Sequence, residues 1–487
     1  MKYAEASVPD YVLPTETQLC DARSAIYQHL PAEGIGEGSV AAHLQNDLVQ
    51  GLNQSSQSPR YYGFVTGGAT PAAASADNLV TQYDQNVQVH LPNETIATDL
   101  EYHALNLLCE LLRFDPQQWP HKSFTTGATA SNIIGLACGR EHIIAEAAKR
   151  NGKSASVAAD GLARAMRLAE VDEVQILTSA PHSSIRKAAS IIGLGHSSVK
   201  DVSQPGSKHL LDLEALEMEL RRPHTASIIM VSCSEVNTGL YATGSGEVEK
   251  IRCLADEYGA WVHVDGAFGL FTRLLEGLEK FAKIADGAKG LELADSITGD
   301  GHKLLNVPYD TGFFFSRRLS TGTTVFQNPG APYLSAHASS IPSPLNIGLE
   351  NSRRFRALPV YATLLAYGRS GYRGMLERQI LLSRTISEYM LRSEKYELLP
   401  ARGGEDGQGV VGVEERLQEM FIIVIFRAKD VERNKELVSR INGTRKVYVS
   451  GTMWDGRPAA RFAVSNWKVD VARDWPVVRE VLEEVAR

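Results

Sequence analysis

The distribution of apolar positions changes character along the chain. From Val174 onward, short β-rich apolar runs alternate with stretches of helical character. That alternation predicts βαβ units around a mostly parallel sheet buried on both faces. Strands are predicted at Val174–Thr178, Ser227–Val231, Trp261–Val264 and Ser296–Thr298. Helices are predicted at Ser184–Ile192, Leu213–Arg221 and Glu247–Tyr258, the last stopped by Gly259. Upstream, Asn151–Ala169 is Ala-rich and reads as helical, while Gly34–Ala76 mixes Gly, Ser, Pro, Gln and Ala with the aromatic cluster Tyr61, Tyr62 and Phe64. Such a segment suggests an extended arm without a core of its own. Downstream, Phe421–Phe426, Lys446–Val449 and Ala460–Val464 read as strands and Val431–Ile441 as a helix, which predicts a smaller C-terminal α/β domain. The boundaries that follow are an arm over 1–100, a large domain over 101–368 and a small domain over 369–487. Leu319–Ser343 has no hydrophobic period, and structureless stretches of that length tend to be functional lids or linkers.

Composition narrows the class. A hydrophobic fraction of 43% with 22% charged residues is that of an ordinary globular protein, so disorder is not expected. The net charge of −7 gives no basic footprint for nucleic acid. The opening stretch Met1–Pro14 lacks the layout of a signal peptide, and the longest apolar run, Met420–Phe426, is too short to span a bilayer. Five scattered cysteines, Cys20, Cys109, Cys138, Cys233 and Cys253, form no C-x-x-C pair, which argues against a zinc site and a disulfide framework. No metal is expected, and a reducing cytoplasm is the expected compartment.

Four segments carry candidate chemistry. Thr125-Thr126-Gly127-Ala128-Thr129-Ala130-Ser131-Asn132 precedes an apolar helical stretch, and small residues at a helix start let backbone N–H groups approach an anion such as phosphate. Taken alone, the same string is an ordinary helix start. Trp261-Val262-His263-Val264-Asp265-Gly266-Ala267 reads as a buried strand delivering a carboxylate at its C-terminal end, where open α/β sheets bind ligands. A buried Asp needs a partner: a protonated ring nitrogen, a magnesium ion or backbone amides. The magnesium reading, as in a nucleotide hydrolase, is disfavoured because the chain contains no G-x-x-x-x-G-K-[ST]. Gly299-Asp300-Gly301-His302-Lys303 puts a lysine behind the next strand, where a desolvated amine can attack carbonyls. His182, in Ala180-Pro181-His182-Ser183-Ser184, begins a helix on the same sheet edge and could stack on a planar cofactor. A nicotinamide cofactor is disfavoured because neither Gly34-Ile35-Gly36-Glu37-Gly38 nor Gly193-Leu194-Gly195 lies between a strand and a helix.

Taken in order, these segments resemble the group II pyridoxal-phosphate decarboxylases, the family of aromatic amino acid, histidine and glutamate decarboxylases with fold type I architecture. The resemblance runs from about Tyr61 to the C-terminus. It is most specific in His263-Val264-Asp265-Gly266-Ala267-Phe268, in Asp300-Gly301-His302-Lys303 with Asn306-Val307-Pro308-Tyr309-Asp310, and in Ser352-Arg353-Arg354-Phe355-Arg356-Ala357-Leu358. It implies pyridoxal 5'-phosphate held as a Schiff base on Lys303, with Asp265 pairing the pyridine nitrogen, Ala267 beneath the ring and His182 stacked above it. Ala128 and Thr129 match phosphate-binding positions, Asn237 approaches the ring, and His302 is the usual neighbour of the lysine. Leu304 stands where many relatives have Trp. Asp300 stands where several have Asn or Ser, and it is left out of the binding set because a carboxylate repels a phosphate. Tyr333, in Gly330-Ala331-Pro332-Tyr333-Leu334, is the candidate lid phenol that protonates Cα.

The implied activity is decarboxylation of an L-amino acid to an amine by a homodimer. An aldehyde-forming synthase or a Cα–Cβ lyase on the same fold is the alternative. A non-catalytic scaffold is disfavoured by the intact Lys303, Asp265 and His182. Tyr61, Tyr62 and Phe64 could line an aromatic substrate pocket, although aromatic residues of this kind are more often packing.

Overall fold

The computed structural model describes residues 8–329, 341–401 and 412–487. It divides into two compact units, one of residues 69–376 and 414–421, the other of residues up to 68, 377–413 and 422–487. Residues 69–100 thus group with the large unit, while the residues before them group with the C-terminal stretch.

The large unit is built on a seven-stranded sheet in the order His121–Thr125, Gly312–Ser316, Ser296–Asp300, Trp261–Asp265, Thr225–Ser232, Glu173–Thr178, Val199–Asp201. Only Gly312–Ser316 runs antiparallel to its neighbours; the four pairings on the other side are parallel. Parallel strands covered on both faces need continuous apolar runs. Thr225–Ser232 supplies Ile228, Ile229, Met230 and Val231, all essentially inaccessible to solvent. Against this sheet lies the 23-residue helix Ala128–Arg150, which buries Ile134, Leu136, Cys138, Ile143 and Ile144 with Ile176, Ile228, Trp261 and Phe314. Its glycines permit the approach: a Cβ on Gly135 would collide with the His263 imidazole, and one on Gly139 with the Trp261 ring.

The predicted helices form at Ser183–Ile191, Leu213–Leu220 and Glu247–Tyr258, the last closed by Gly259 at φ 72°. The Ala-rich stretch is two helices, Val157–Asp160 and Leu162–Ala169, separated by Gly161 at φ 76°. The aperiodic segment differs from expectation. Leu319–Phe326 is a helix, because Val325 and Phe326 pack on the core and Gly322 lets the backbone close onto the His121 ring. Tertiary packing there overrides the poor helix propensity of Thr and Gly.

The second unit carries a five-stranded sheet in the order Tyr61–Tyr62, Tyr448–Trp454, Arg457–Ala463, Ile423–Ala428, Tyr396–Leu399. All pairings are antiparallel except that of Tyr61–Tyr62 with Tyr448–Val449. Tyr62 is fully buried and Tyr61 stacks on Tyr448 with ring centroids 4.5 Å apart, so these tyrosines serve packing in that sheet. No helix among the described residues is long and apolar enough to cross a membrane.

Candidate active site

Parallel strands in register deliver their last residues to one edge. Ser232 pairs with Asp265, and Asp265 with Thr298, so Ser232, Asp265 and Asp300 all end their strands on the same side. There they meet the N-terminus of Ala128–Arg150 and the cap of Ser183–Ile191. Together these line a cavity of about 340 Å³ that includes Thr126, Gly127, Ala128, Thr129, His182, Glu235, Asp265, Ala267, Phe268, Asp300, His302 and Lys303.

Asp265 is buried and takes an N–H from Asn132 at 3.0 Å on one oxygen. Its other oxygen receives the Ala267 N–H at a long 3.3 Å. Behind it, His263 Nε2 lies 2.9 Å from Asn132 Oδ1, and His263 Nδ1 lies 2.8 Å from Ser296 Oγ. The same hydroxyl accepts the Trp261 indole N–H at 2.9 Å. Burial pushes the His263 imidazole down to about 3, so it is neutral.

On the other side, Lys303 Nζ pairs with Asp300 Oδ2 at 2.8 Å and sits 5.6 Å from the centroid of the Phe268 ring. Asp300 Oδ1 accepts the Ala128 N–H at 2.6 Å and lies 3.6 Å from His302 Nε2. Burial disfavours the Asp300 charge, but the charges of Lys303 and His302 and the bonds from Lys303 and Ala128 outweigh it and hold its carboxyl below the usual range. Burial also holds the His302 imidazole below its ordinary value, against the pull of Asp300. His302 stacks on Tyr309 with ring centroids 4.2 Å apart. His182 caps its helix, its Nδ1 receiving the Ser184 N–H at 3.1 Å, and its ring is exposed.

Of the residues singled out from sequence, Ala128, Thr129, His182, Asp265, Ala267, His302 and Lys303 therefore face one cavity. Asn237 is not among the lining residues; its neighbours Glu235 and Val236 are. Tyr333 lies outside the described residues. Asp300, left out of the binding set, lines the same cavity, where it pairs with Lys303 and accepts the Ala128 N–H. Asn132 and Glu235 were missed as partners. Asn132 stood in the quoted helix-start string, and its i+4 spacing from Ala128 on a helix was the available signal. Glu235 receives N–H groups from Asn237, at 2.8 Å, and from Thr238, together with the Thr238 hydroxyl. The arginines of Arg353-Arg354-Phe355-Arg356 pair with Glu101, Asp77 and Asp310, which makes that motif a structural tie.

Residues 24–412 match the pyridoxal-dependent decarboxylase conserved domain. The L-2,4-diaminobutyrate decarboxylase of Acinetobacter baumannii is 30% identical over 57% of this chain and 52% of its own length, so this chain matches about half of that relative. The phenylacetaldehyde synthase of a Rosa hybrid cultivar is 22% identical over 91% of this chain and 84% of its own. The structure of Oryza sativa TDC with PLP and tryptamine superposes with a TM-score of 0.76 at 19% identity, covering 98% of this chain and 94% of that one. The conserved domain, the shared fold and the convergent cavity establish that the chain belongs to the pyridoxal-dependent decarboxylase family, carboxy-lyases whose cofactor is pyridoxal 5'-phosphate.

Proposed function

We propose that this chain decarboxylates an L-amino acid to its amine as a cytoplasmic homodimer, using Lys303, Asp265 and His182 around the cofactor. The observation that carries the reading is the convergence of the Lys303 amine, the Asp265 carboxylate and a helix N-terminus on one cavity. The donor set fits the cofactor. In the first turn of Ala128–Arg150 the Thr129 and Ala130 N–H groups take no intrahelical acceptor, which suits a phosphate. Among the described residues, one Asp265 oxygen has only its long bond to Ala267, which leaves it able to accept from a ring N–H.

When bound, the cofactor supplies an electron sink for the pair left at Cα as CO2 departs. Lys303 is the residue that would hold the cofactor covalently. Asp265 keeps a proton on the ring nitrogen, because an ionised carboxylate favours the charged ring. Ala267 and His182 would pack against the ring, Ala128 and Thr129 would hold the phosphate, His302 would stand beside the lysine, and Asn237 would approach from behind the lining residues Glu235 and Val236. Tyr333 returns a proton to Cα.

Carbon dioxide release from each common L-amino acid, with amine and aldehyde both quantified, tests this reading; no release from any of them would refute it. The second reading, an aldehyde-forming synthase, is motivated by the rose relative, and a product consisting mainly of aldehyde would favour it. For Tyr333→Phe we expect less amine per CO2 with the cofactor retained. Unchanged amine would remove Tyr333 from the proton-donor role. Sedimentation at micromolar concentration is expected to give a dimer; a fully active monomer would refute that part.

A further inference from the structure

Asp300 stands at the helix start proposed above for the cofactor's phosphate. Its carboxylate is 3% exposed, receives the first N–H of the 23-residue helix Ala128–Arg150 at 2.6 Å, and holds Lys303 at 2.8 Å. The helix has no side-chain cap of its own at Gly127, so this carboxylate from a neighbouring strand is the cap. The turn is shaped around it: a Cβ on Gly127 would come within 3.4 Å of Asp300 Oδ1 and 3.2 Å of the His302 ring. Gly312, paired with Asp300 across the sheet, could carry no Cβ without striking the Gly127 Cα at 2.5 Å.

A phosphate arriving at Ala128 and Thr129 therefore meets a buried carboxylate. Once Lys303 is covalently engaged, that carboxylate also loses its ammonium partner. The other titratable groups facing the cavity do not relieve the conflict. Asp265 and Glu235 are further carboxyl groups, bonded by Asn132 and by Asn237 and Thr238, and bring no cation to the site. His182 is turned to Ser184, and Tyr309 stacks on His302. Among the described residues, His302, 3.6 Å from Asp300 Oδ1, is the basic group left beside that carboxylate once Lys303 is engaged, and burial holds its imidazole below its ordinary value.

We infer that Asp300 is a built-in placeholder for the phosphate, and that a phosphate group enters only together with one proton held between it and the Asp300 carboxylate. The inference rests on the proposed phosphate position at Ala128 and Thr129. Two desolvated anions in contact repel strongly, whereas an O–H···O⁻ bond between them is short and favourable. No bond to carbon or phosphorus changes; solvent supplies the proton and regains it on release. Cofactor loading is then favoured by mild acid and opposed by alkali, and Asp300 keeps the unloaded helix start and the amine of Lys303 paired.

The test uses the full-length protein freed of cofactor, with inorganic phosphate as the probe and pyridoxal phosphate as the competitor. Titration calorimetry in two buffers of different ionisation heat is expected to show about one proton taken up per phosphate dianion bound. Between pH 7.5 and 9 the wild-type affinity is expected to fall about tenfold per pH unit. Asp300→Asn and Asp300→Ser are each expected to bind phosphate about tenfold or more tightly than wild type at pH 8.5, with little dependence on pH. Wild-type binding without proton uptake, or variants no tighter than wild type at pH 8.5, would overturn the inference while leaving the phosphate position intact. The wild-type calorimetry decides the matter even if both variants misfold. Phosphate binding that pyridoxal phosphate does not displace would overturn the phosphate position itself, and the inference with it.

Discussion

The two sheets use similar apolar residues but differ in what their strand ends can do. In the seven-stranded sheet, the parallel strands Thr225–Ser232, Trp261–Asp265 and Ser296–Asp300 finish on one edge, and their last residues share a cavity. In the five-stranded sheet, antiparallel pairing sends the ends of Tyr396–Leu399, Ile423–Ala428 and Arg457–Ala463 alternately to opposite edges. Its interior, Ile423 to Phe426, is as dry as the other core. Topology, more than residue choice, gathers side chains far apart in sequence into one reactive place.

The first way to break this comparison is to remove the amine. Lys303→Ala is expected to lower CO2 release by about 10⁴-fold, and borohydride reduction of the wild type followed by peptide mapping should find the pyridoxyl group on Lys303. Label on another lysine would show that the convergence at this edge is not the reactive one. Next in size, Asp265→Asn is expected to keep the cofactor and slow CO2 release by about 10³-fold, measured at saturating substrate. Near-normal turnover would make that strand end structural, like those of the five-stranded sheet.

Acid provides a smaller contrast. The strands of the seven-stranded sheet bury His121 and His263, which burial pushes down to about 4 and about 3, whereas the strands of the five-stranded sheet contain no histidine. The unfolded chain takes up these protons near pH 6.5 and the native state does not. Stability is therefore complete above pH 6.5 and falls as the pH drops toward 4, by about 1.4 kcal/mol per pH unit for each histidine. Urea unfolding between pH 7 and 4.5 measures this, and His263→Gln should lessen the slope; a flat profile would show that these imidazoles are not held neutral. Smallest is Gly312→Ala. A Cβ there would meet Gly127 Cα at 2.5 Å, so a loss of about 1–3 kcal/mol in thermal unfolding is expected, with weaker cofactor binding. An unperturbed variant would mean that the helix start yields easily.

The same contrast explains what the sequence disclosed. Strands covered on both faces are continuous apolar runs, so Glu173–Thr178, Thr225–Ser232, Trp261–Asp265 and Ser296–Asp300 were legible, and with them Asp265 and Lys303. His121–Thr125 was not, because His121, Lys122 and Ser123 look like loop residues until their neighbours bury them. The hairpin Tyr448–Trp454 and Arg457–Ala463 was read only at its outer ends, although Asp455-Gly456 between them is a strong turn signal. At the site, residues whose chemistry is their own could be named from sequence. Asn132 carried only the weak signal of its helical spacing from Ala128, and Glu235 and the inward turn of Asp300 carried none, because each depends on a partner that only the fold supplies.

Asn132 gives its amide N–H to Asp265, so its oxygen must accept from His263 Nε2; the Nδ1 of that neutral ring then accepts from the Ser296 hydroxyl, which itself accepts from the Trp261 indole, a group that can only give. Every link points the same way and the far end is a dead stop. The row is thus an insulator rather than a wire: no proton can leave Asp265 through the core, because Trp261 has nowhere to receive one. Any change in the protonation of that carboxylate has to arrive from the cavity, where the chemistry takes place.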